Sequence, residues 1–469
     1  MDNRVIKRSS LVDAAFDKWF TVNTLTGGTE ALRDAGELFL PKHPKESHSN
    51  YSRRKNASFF VNFYYRTIQQ AAGKIFQKDI VVTDAPQPIQ DFIDNVDRTG
   101  QDLTQFSRKT FEDGVNYGSS YIVVDFPKVD PEATLADLNQ QNARPYLVQV
   151  PTMDVLDIKY QIINNQSVMT LFRFKQKFIE SDDNNFTEKV GTQVKVFRFE
   201  PSIGIVGFEV YRPVDGKDGD WYIHDAGTVS TSKIPVVPFI TKRLEVGIGI
   251  PPLFDLGMIN IQHWQSSSDQ RNILTIARVP MLFAKKLGTY DQNGARREIE
   301  ISPNTVIESD DENGDLRWVE HGGEAIEAGR NDLKDLEQYM SILGLELYMS
   351  ERSGNVTATE KAINSAETNS ILHSYAVSFR DCLESAFELV CEFYSIEMNF
   401  NIVINTEFSI PFKDFQDFSQ LFELFKVGLL TGPELLAEAK RRNLLQYTFD
   451  ENRQIINTPI GDTQDADQV

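Results

Sequence analysis

Several stretches of this sequence carry residue types that phosphate, metal or acyl chemistry would use, and their spacing decides against each. Gly-Lys pairs stand at 73–74 and 216–217. Neither has the upstream glycine nor the following Ser/Thr with which a phosphate-cradling loop wraps an anion. The run GIGIPP (247–252) lacks a third glycine and meets a proline pair, so it reads as a linker. Histidines 43, 48, 224, 263, 321 and 373 are scattered, with no HExxH pair and no Cys or carboxylate cluster beside His43 and His48. Asp310-Asp311-Glu312-Asn313-Gly314-Asp315 has the composition of a calcium loop, but not its spacing or its closing glutamate. An acidic hairpin tip is the better reading. No GxSxG nucleophile elbow occurs. Cys382 and Cys391 fall in one expected helix, ~13 Å apart along its axis, too far for a disulfide and suited to packed core thiols. No catalytic residue, metal or cofactor is therefore assigned.

Charge narrows the remaining classes. The chain has 469 residues, with 48 Lys+Arg against 68 Asp+Glu and a formal net charge of −20. A protein that grips nucleic acid needs clustered cations in excess, so such a grip is excluded, although nucleic acid passing without being held is not. A 41% hydrophobic share supports real cores and excludes wholesale disorder. The one basic patch is SRRK (52–55), with Arg53, Arg54 and Lys55 and, nearby, Lys42, Lys45 and Tyr51. It reads as a solvated arm, or as an arm touching an acidic partner, a neighbouring subunit or nucleic acid. No apolar run approaches the length of a membrane span, no signal peptide is expected, and cysteine usage points to synthesis in a reducing interior.

The elements that would position any site follow from periodicity. Residues 1–55 are polar, with a possible helix ended by Trp19 and Phe20, another over 31–41, and a loop or arm over 42–56. Apolar positions from 60 to 76 have helical spacing. A second helix is predicted over 102–117, N-capped by Asp102 and ended by Gly118, with Phe111 near the edge of its apolar face. A strand follows over 119–127. Residues 145–245 are short Val/Ile/Phe-rich runs separated by turns, an antiparallel β region.

At Pro251-Pro252 the texture changes. Leu253–Arg278 reads as one helix of about 26 residues, stopped by Pro280. Short strands and turns fill 281–323, with Asn-Gly hairpin signals at 293–294 and 313–314. Residues 325–349 are helical again, SERSG (350–354) breaks the pattern, and the longest helix runs from Thr357 to about Glu397, its spacing slipping near Thr368–Ser370. Two small helices are expected over 412–445 and a disordered tail after them.

This order of segments resembles that of tailed-bacteriophage portal (head-to-tail connector) proteins, and more closely a portal-like family often described only as a domain of unknown function. The matching stretches are RDAGELFLP (33–41), FVNFYYRTIQQAAGKIFQK (60–78), YGSSYIVVDFP (117–127), PPLFDL with NIQHWQSSSD (251–269), VTATEKAINSAETNSIL (356–372) and KVGLLTGPELLAEAKRRNLL (426–445). None is a catalytic signature; the likeness lies in their order.

The resemblance implies an α+β subunit of portal type: N-terminal arm 1–55, α/β wing 56–250, stem helix 251–280, β-rich clip 281–325, returning stem helix 326–349, tunnel loop 350–357, long kinked wing helix 358–398, helical crown 399–445 and a disordered tail 446–469. It implies a homo-oligomeric ring of about twelve copies at one capsid vertex of the virion. The partners implied are the major capsid protein, the terminase large subunit, then a head–tail adaptor, and double-stranded DNA passing without sequence specificity; no membrane and no enzymatic activity are implied. Ser350, Glu351, Arg352, Ser353, Gly354 and Asn355 would face the channel. Asp310, Asp311, Glu312, Asp315 and Trp318 would form the docking tip of the clip, and Arg53, Arg54 and Lys55 an arm to capsid or neighbour. Over 324–361, Glu324, Glu327, Asp332, Asp335, Glu337, Glu346, Glu351 and Glu360 outnumber Arg330, Lys334, Arg352 and Lys361. Such a surface repels DNA more than it holds it. Other readings of the same residues are a different virion structural protein, such as an adaptor or tail component, or a soluble enzyme with a diffuse site.

Overall fold

The computed structural model describes residues 4–127, 143–181, 188–214, 220–278, 281–285, 313–319, 323–344 and 358–406, together with 408 and 425. Two units divide the chain, residues 1–406 and 407–469, and the elements below belong to the first. The helices expected over 412–445 lie outside the described residues, apart from Phe425.

The chain is α+β. It opens with helices α1 (Ser10–Thr26) and α2 (Gly28–Ala35), then α3 (His48–Ala57) and α4 (Phe63–Ile75). Here the structure departs from the expected polar arm. Helix α1 runs beyond Trp19–Phe20 because Val22 and Leu25 continue its apolar face, and the first break is Gly27–Gly28. Val12, Ala15, Trp19 and Val22 are fully buried. The expected loop at 42–56 contains α3, which Ser47 caps by accepting from the Asn50 amide. Residues 4–7 are tied down as well: the Arg173 guanidinium donates to the carbonyls of Arg4, Val5 and Lys7.

Strand β1 (Val81–Thr83) and helix α5 (Gln87–Ile93) lead to α6 (Leu103–Tyr117). That helix is capped as expected, with Asp102 accepting from the Gln105 amide and Gly118 in the left-handed region at φ 85°. Strands β2 (Ser119–Asp125), β3 (Tyr146–Val150) and β9 (Val236–Ile240) form an antiparallel sheet with β2 in the middle. Strands β4 (Val155–Ile163), β5 (Gln166–Ser181), β6 (Glu188–Glu200), β7 (Ile205–Pro213) and β8 (Trp221–Val229) form an antiparallel meander. This is the β region that the alternating apolar runs predict. A separate short pair, β10 (Arg243–Glu245) and β11 (Ile248–Gly249), follows in the chain.

From this body rises α7 (Phe254–Ala277), followed by β12 (Met281–Lys285) and β13 (Asp315–Val319), then α8 (Glu324–Leu343) and the long α9 (Ala358–Tyr394). Strand β14 (Asn401–Val403) pairs antiparallel with β1, a long-range pairing that local pattern does not announce. Helix α9 runs unbroken through Thr368–Ser370.

The core is aromatic. Phe76 of α4's C-terminal end, Phe111 of α6, Phe239 of β9 and Phe379 of α9 converge, with centroids 4.9 Å apart for Phe239–Phe379 and 5.6 Å for Phe111–Phe239. Phe111, expected near a helix edge, is fully buried because α9 and β9 cover that edge. These rings contribute beyond their buried area through edge and offset contacts. They lock the middle of α9 to the body from which α7 departs.

Candidate functional site

The departure point of α7 is built tightly. Trp19 Nε1 donates to the carbonyls of Tyr117 (3.0 Å) and Gly249 (3.1 Å), joining α1, the end of α6 and the strand before α7. A Cβ on Gly118 would lie 2.0 Å from the Ile250 carbonyl oxygen, so only glycine allows the two backbones to meet there. Buried Asn260, one turn further along α7, accepts from the Tyr64 amide at 3.0 Å and donates to the Val61 carbonyl at 2.9 Å. The first half of α7 is thus held by hydrogen bonds between side chains and backbone, which tolerate no sliding.

Above it, α7 and α8 pack against each other in opposite directions. Gln270 donates to the Ile326 carbonyl at 2.8 Å, Ser266 donates to Asp332, and His263 lies 3.6 Å from Glu337. Burial lowers the His263 pKa, against the opposing pull of Glu337. Strands β12 and β13 pair in register at the far end of the two helices, Met281 opposite Val319 and Lys285 opposite Asp315. The result is a helix, a β pair and a returning helix in one excursion, the order that the spacing predicts; residues 286–312, with the Asn-Gly signal at 293–294, and 345–349 lie outside the described residues.

A surface groove of about 590 Å³ lies along this pair, lined by Leu274, Ile326 and Leu333 with Glu327, Arg330 and Lys334. Its charges are mixed, two carboxylates (Glu327 and Glu337) and two cations (Arg330 and Lys334), and no nucleophile–base pair faces into it. Among the described residues no three His, Cys, Asp or Glu side chains come together as a metal site. Both cysteines are free and buried, and burial pushes the Cys391 thiol up to about 11 and Cys382 further. Such thiols are unreactive at neutral pH. No helix among the described residues is long and apolar enough to cross a membrane.

The expected site residues divide. Ser350, Glu351, Arg352, Ser353, Gly354 and Asn355 lie outside the described residues, as do Asp310, Asp311 and Glu312. Asp315 opens β13, half-buried and 3.5 Å from Arg317, and Trp318 stands opposite Leu282 on the same pair. The basic run is a helix and not an extended arm. Arg53 points outward and Lys55 is half-buried. Arg54 turns inward, where its guanidinium binds Glu46 at 2.9 and 3.0 Å, the Pro41 carbonyl at 2.8 Å and Asp269 of α7 at 3.3 Å. The Arg54 hydrogen bond holds the Glu46 carboxyl down to about 2. His43 Nε2 lies 3.0 Å from the same Asp269, and Gln265 donates to the Phe39 carbonyl. Sequence reasoning missed this clamp on α7, because Asp269 lies more than two hundred residues from Arg54.

Comparison with known proteins yields the following. A family model, "Domain of unknown function (DUF4055)", matches residues 252–394, less than half of the chain. No curated protein matches. Among solved structures, a chain from the virion of a native gene transfer agent (GTA) particle is similar at 12% identity and TM-score 0.41, covering 89% of this chain and 99% of that one. A chain from the neck of the empty particle, computed with C6 symmetry, is similar at 11% identity and TM-score 0.43, covering 87% and 96%. One from the neck of the native particle, computed with C12 symmetry, is similar at 11% identity and TM-score 0.40, covering 80% and 88%.

Proposed function

We propose that the chain is the subunit of a phage portal: a ring of about twelve copies at one capsid vertex through which double-stranded DNA is packaged and later ejected. The observation that carries this reading is the single excursion from α7 through β12 and β13 to α8, antiparallel helices tipped by a β pair and rooted in an α/β body. In this reading α7 and α8 are the stem. The β pair, with Asp310, Asp311, Glu312, Asp315 and Trp318, is the clip that receives terminase and then the head–tail adaptor. Residues 350–355 line the channel, and α9 anchors the return to the wing. The chain performs no catalysis; the energy for translocation comes from the terminase.

Acidity supports a conduit. Exposed Glu324, Glu327, Asp335 and Glu337 outnumber Arg330 and Lys334 on α8. A wall of that sign disfavours lasting phosphate contacts, each of which would slow moving DNA.

Native mass spectrometry with negative-stain microscopy of the purified chain tests the proposal. A ring with a central hole is expected, and removal of Ser350–Asn355 should leave the ring intact while impairing packaging. A stable monomer or dimer at high concentration overturns the proposal in favour of an enzyme or another virion component, and a tube or stacked disc favours a tail component.

A further inference from the structure

Asparagine stands directly before glycine at 293–294 and at 313–314, and the second pair falls among the described residues. Asn313 is an exposed turn residue, and Gly314 precedes the first residue of β13. The register of β12 with β13 runs from Met281 opposite Val319 to Lys285 opposite Asp315. The Asn-Gly pair therefore sits at the end of the β pair away from α7 and α8.

An asparagine side-chain amide is open to attack by the backbone nitrogen of the next residue. The attack closes a five-membered ring, and it needs a backbone free to rotate out of helical or extended values. It also needs a following residue without a Cβ in the path, which is glycine alone. Water must then reach the ring to open it. A turn position, Gly314 and exposure supply all three conditions at Asn313. Two other sites supply only part of them. Asp113-Gly114 is a close chemical analogue, but it lies inside α6, where the helix fixes the backbone. Asn164 and Asn165 form an exposed turn between β4 and β5, but the residues that follow them, Asn165 and Gln166, carry side chains.

We infer that Asn313 is a self-modifying site, converting to aspartate and isoaspartate in the folded protein without an enzyme. The Gly314 nitrogen bonds to Asn313 Cγ, the Cγ–Nδ2 bond breaks, and the side-chain nitrogen leaves as ammonia, carrying the proton that the Gly314 amide gives up. Water then opens the cyclic imide. Cleavage at Cγ leaves aspartate; cleavage at the backbone carbonyl leaves isoaspartate, with the main chain running through Cγ. The net change is amide plus water to carboxylate plus ammonium, with nothing oxidised or reduced. Either product adds a negative charge within Asp310-Asp311-Glu312-Asn313-Gly314-Asp315, and isoaspartate also lengthens the backbone there by one carbon. The chemistry stands apart from the portal reading. If that reading holds, the docking tip of the clip grows more acidic as the protein ages.

Peptide mapping by mass spectrometry tests this on the full-length chain, incubated at 37 °C at pH 8.5 and at pH 6. At pH 8.5 Asn313 should react at least tenfold faster than Asn164 or Asn165, giving two products of equal mass that elute separately. The rate should fall at pH 6, because the attacking nitrogen must lose its proton. Gly314→Ala should slow the reaction at least tenfold, and Asn313→Gln, whose ring would be one atom larger, should leave the position intact. A parallel incubation in urea separates the fold's effect from the sequence's. Reaction at Asn313 in urea but not in the folded chain overturns the inference, as does a folded-state rate no faster than that of Asn164 or one unchanged by Gly314→Ala. None of these outcomes bears on ring formation, and a chain that forms no ring leaves them as they are.

Discussion

Arg54 and Glu46 form a two-bonded ion pair with 2% and 9% of their side chains exposed, and Asp269 of α7 completes it from the solvent side. Removing one member of such a buried pair leaves the other desolvated and uncompensated. Arg54→Ala should therefore destabilise the chain by about 3 kcal/mol, at the low end for buried pairs because the network opens to water at Asp269. Asp269→Asn should cost well under half of that. Urea unfolding of the two variants checks the ordering.

The same pair sets a pH window. Its hydrogen bond from Arg54 holds Glu46 near 2, below the ordinary 4.5. A folded-state pKa below the unfolded one gives stability that is complete above pH 4.5 and is lost as pH falls toward 2. Glu46→Gln should flatten the acid limb of the stability curve over that range, while leaving a lower plateau at neutral pH. Thermal melting in steps from pH 2 to pH 6 measures both effects.

Asp113 acts in the opposite sense. The Thr152 hydroxyl has one proton, and the Ser119 carbonyl at 2.7 Å is the better acceptor for it than Asp113 at 3.2 Å. A protonated Asp113 can instead donate to the hydroxyl oxygen. Burial agrees, pushing Asp113 up to about 7. Because the folded state holds this proton more firmly, stability falls as pH rises from about 4 to 7. Asp113→Asn should match the unmodified chain at pH 4 and melt at a higher temperature at pH 8. Equal melting temperatures at pH 8 would show that the carboxylate is solvated.

How much of this was legible beforehand depended on sequence distance. Helix α6 was readable to its caps because Asp102 and Gly118 act on their own neighbours. The excursion from α7 to α8 was readable because Pro251-Pro252 and the helical periods bound it locally. The clamp was not: Arg54 shares a helix face with Tyr51, but its partners come from a loop and from α7. Read alone, the run SRRK looks like a solvated charge cluster, and two of its residues, Ser52 and Arg53, do face water. Phe111 is buried for a related reason: spacing puts it near the edge of α6's apolar face, and Phe239 and Phe379 from other elements cover that edge. The pairing of β1 with β14 joins residues over three hundred positions apart and leaves no local trace.

The root of α7 should be intolerant of change. Gly118→Ala combines an unfavourable φ of 85° with a contact of 2.0 Å against backbone, which cannot swing aside as a side chain could. Loss of soluble protein is expected. Trp19→Phe keeps the ring and removes its N–H, leaving the Tyr117 and Gly249 carbonyls without that donor. A loss of about 1–3 kcal/mol follows from the unpaired buried acceptors. Chemical denaturation of Trp19→Phe and an expression assay of Gly118→Ala are sufficient checks.

The crossing of α7 and α8 offers a test in which two effects oppose. Gly329 sits mid-helix, where alanine would ordinarily add about 1 kcal/mol. A Cβ there would lie 2.1 Å from Gln270 Oε1. To make room, Gln270 must turn and give up its bond to the Ile326 carbonyl, a loss of about 1 kcal/mol. Gly329→Ala alone should therefore be near neutral, and Gln270→Ala alone should cost about 1 kcal/mol. In the double variant the steric conflict is gone and the helix-forming gain is recovered, so its cost should fall below the sum of the two by about 1 kcal/mol. A double-mutant cycle from urea unfolding measures that difference. Strict additivity would mean that α8 shifts away from α7 rather than Gln270 turning, and then the two helices would be free to slide where the geometry holds them fixed.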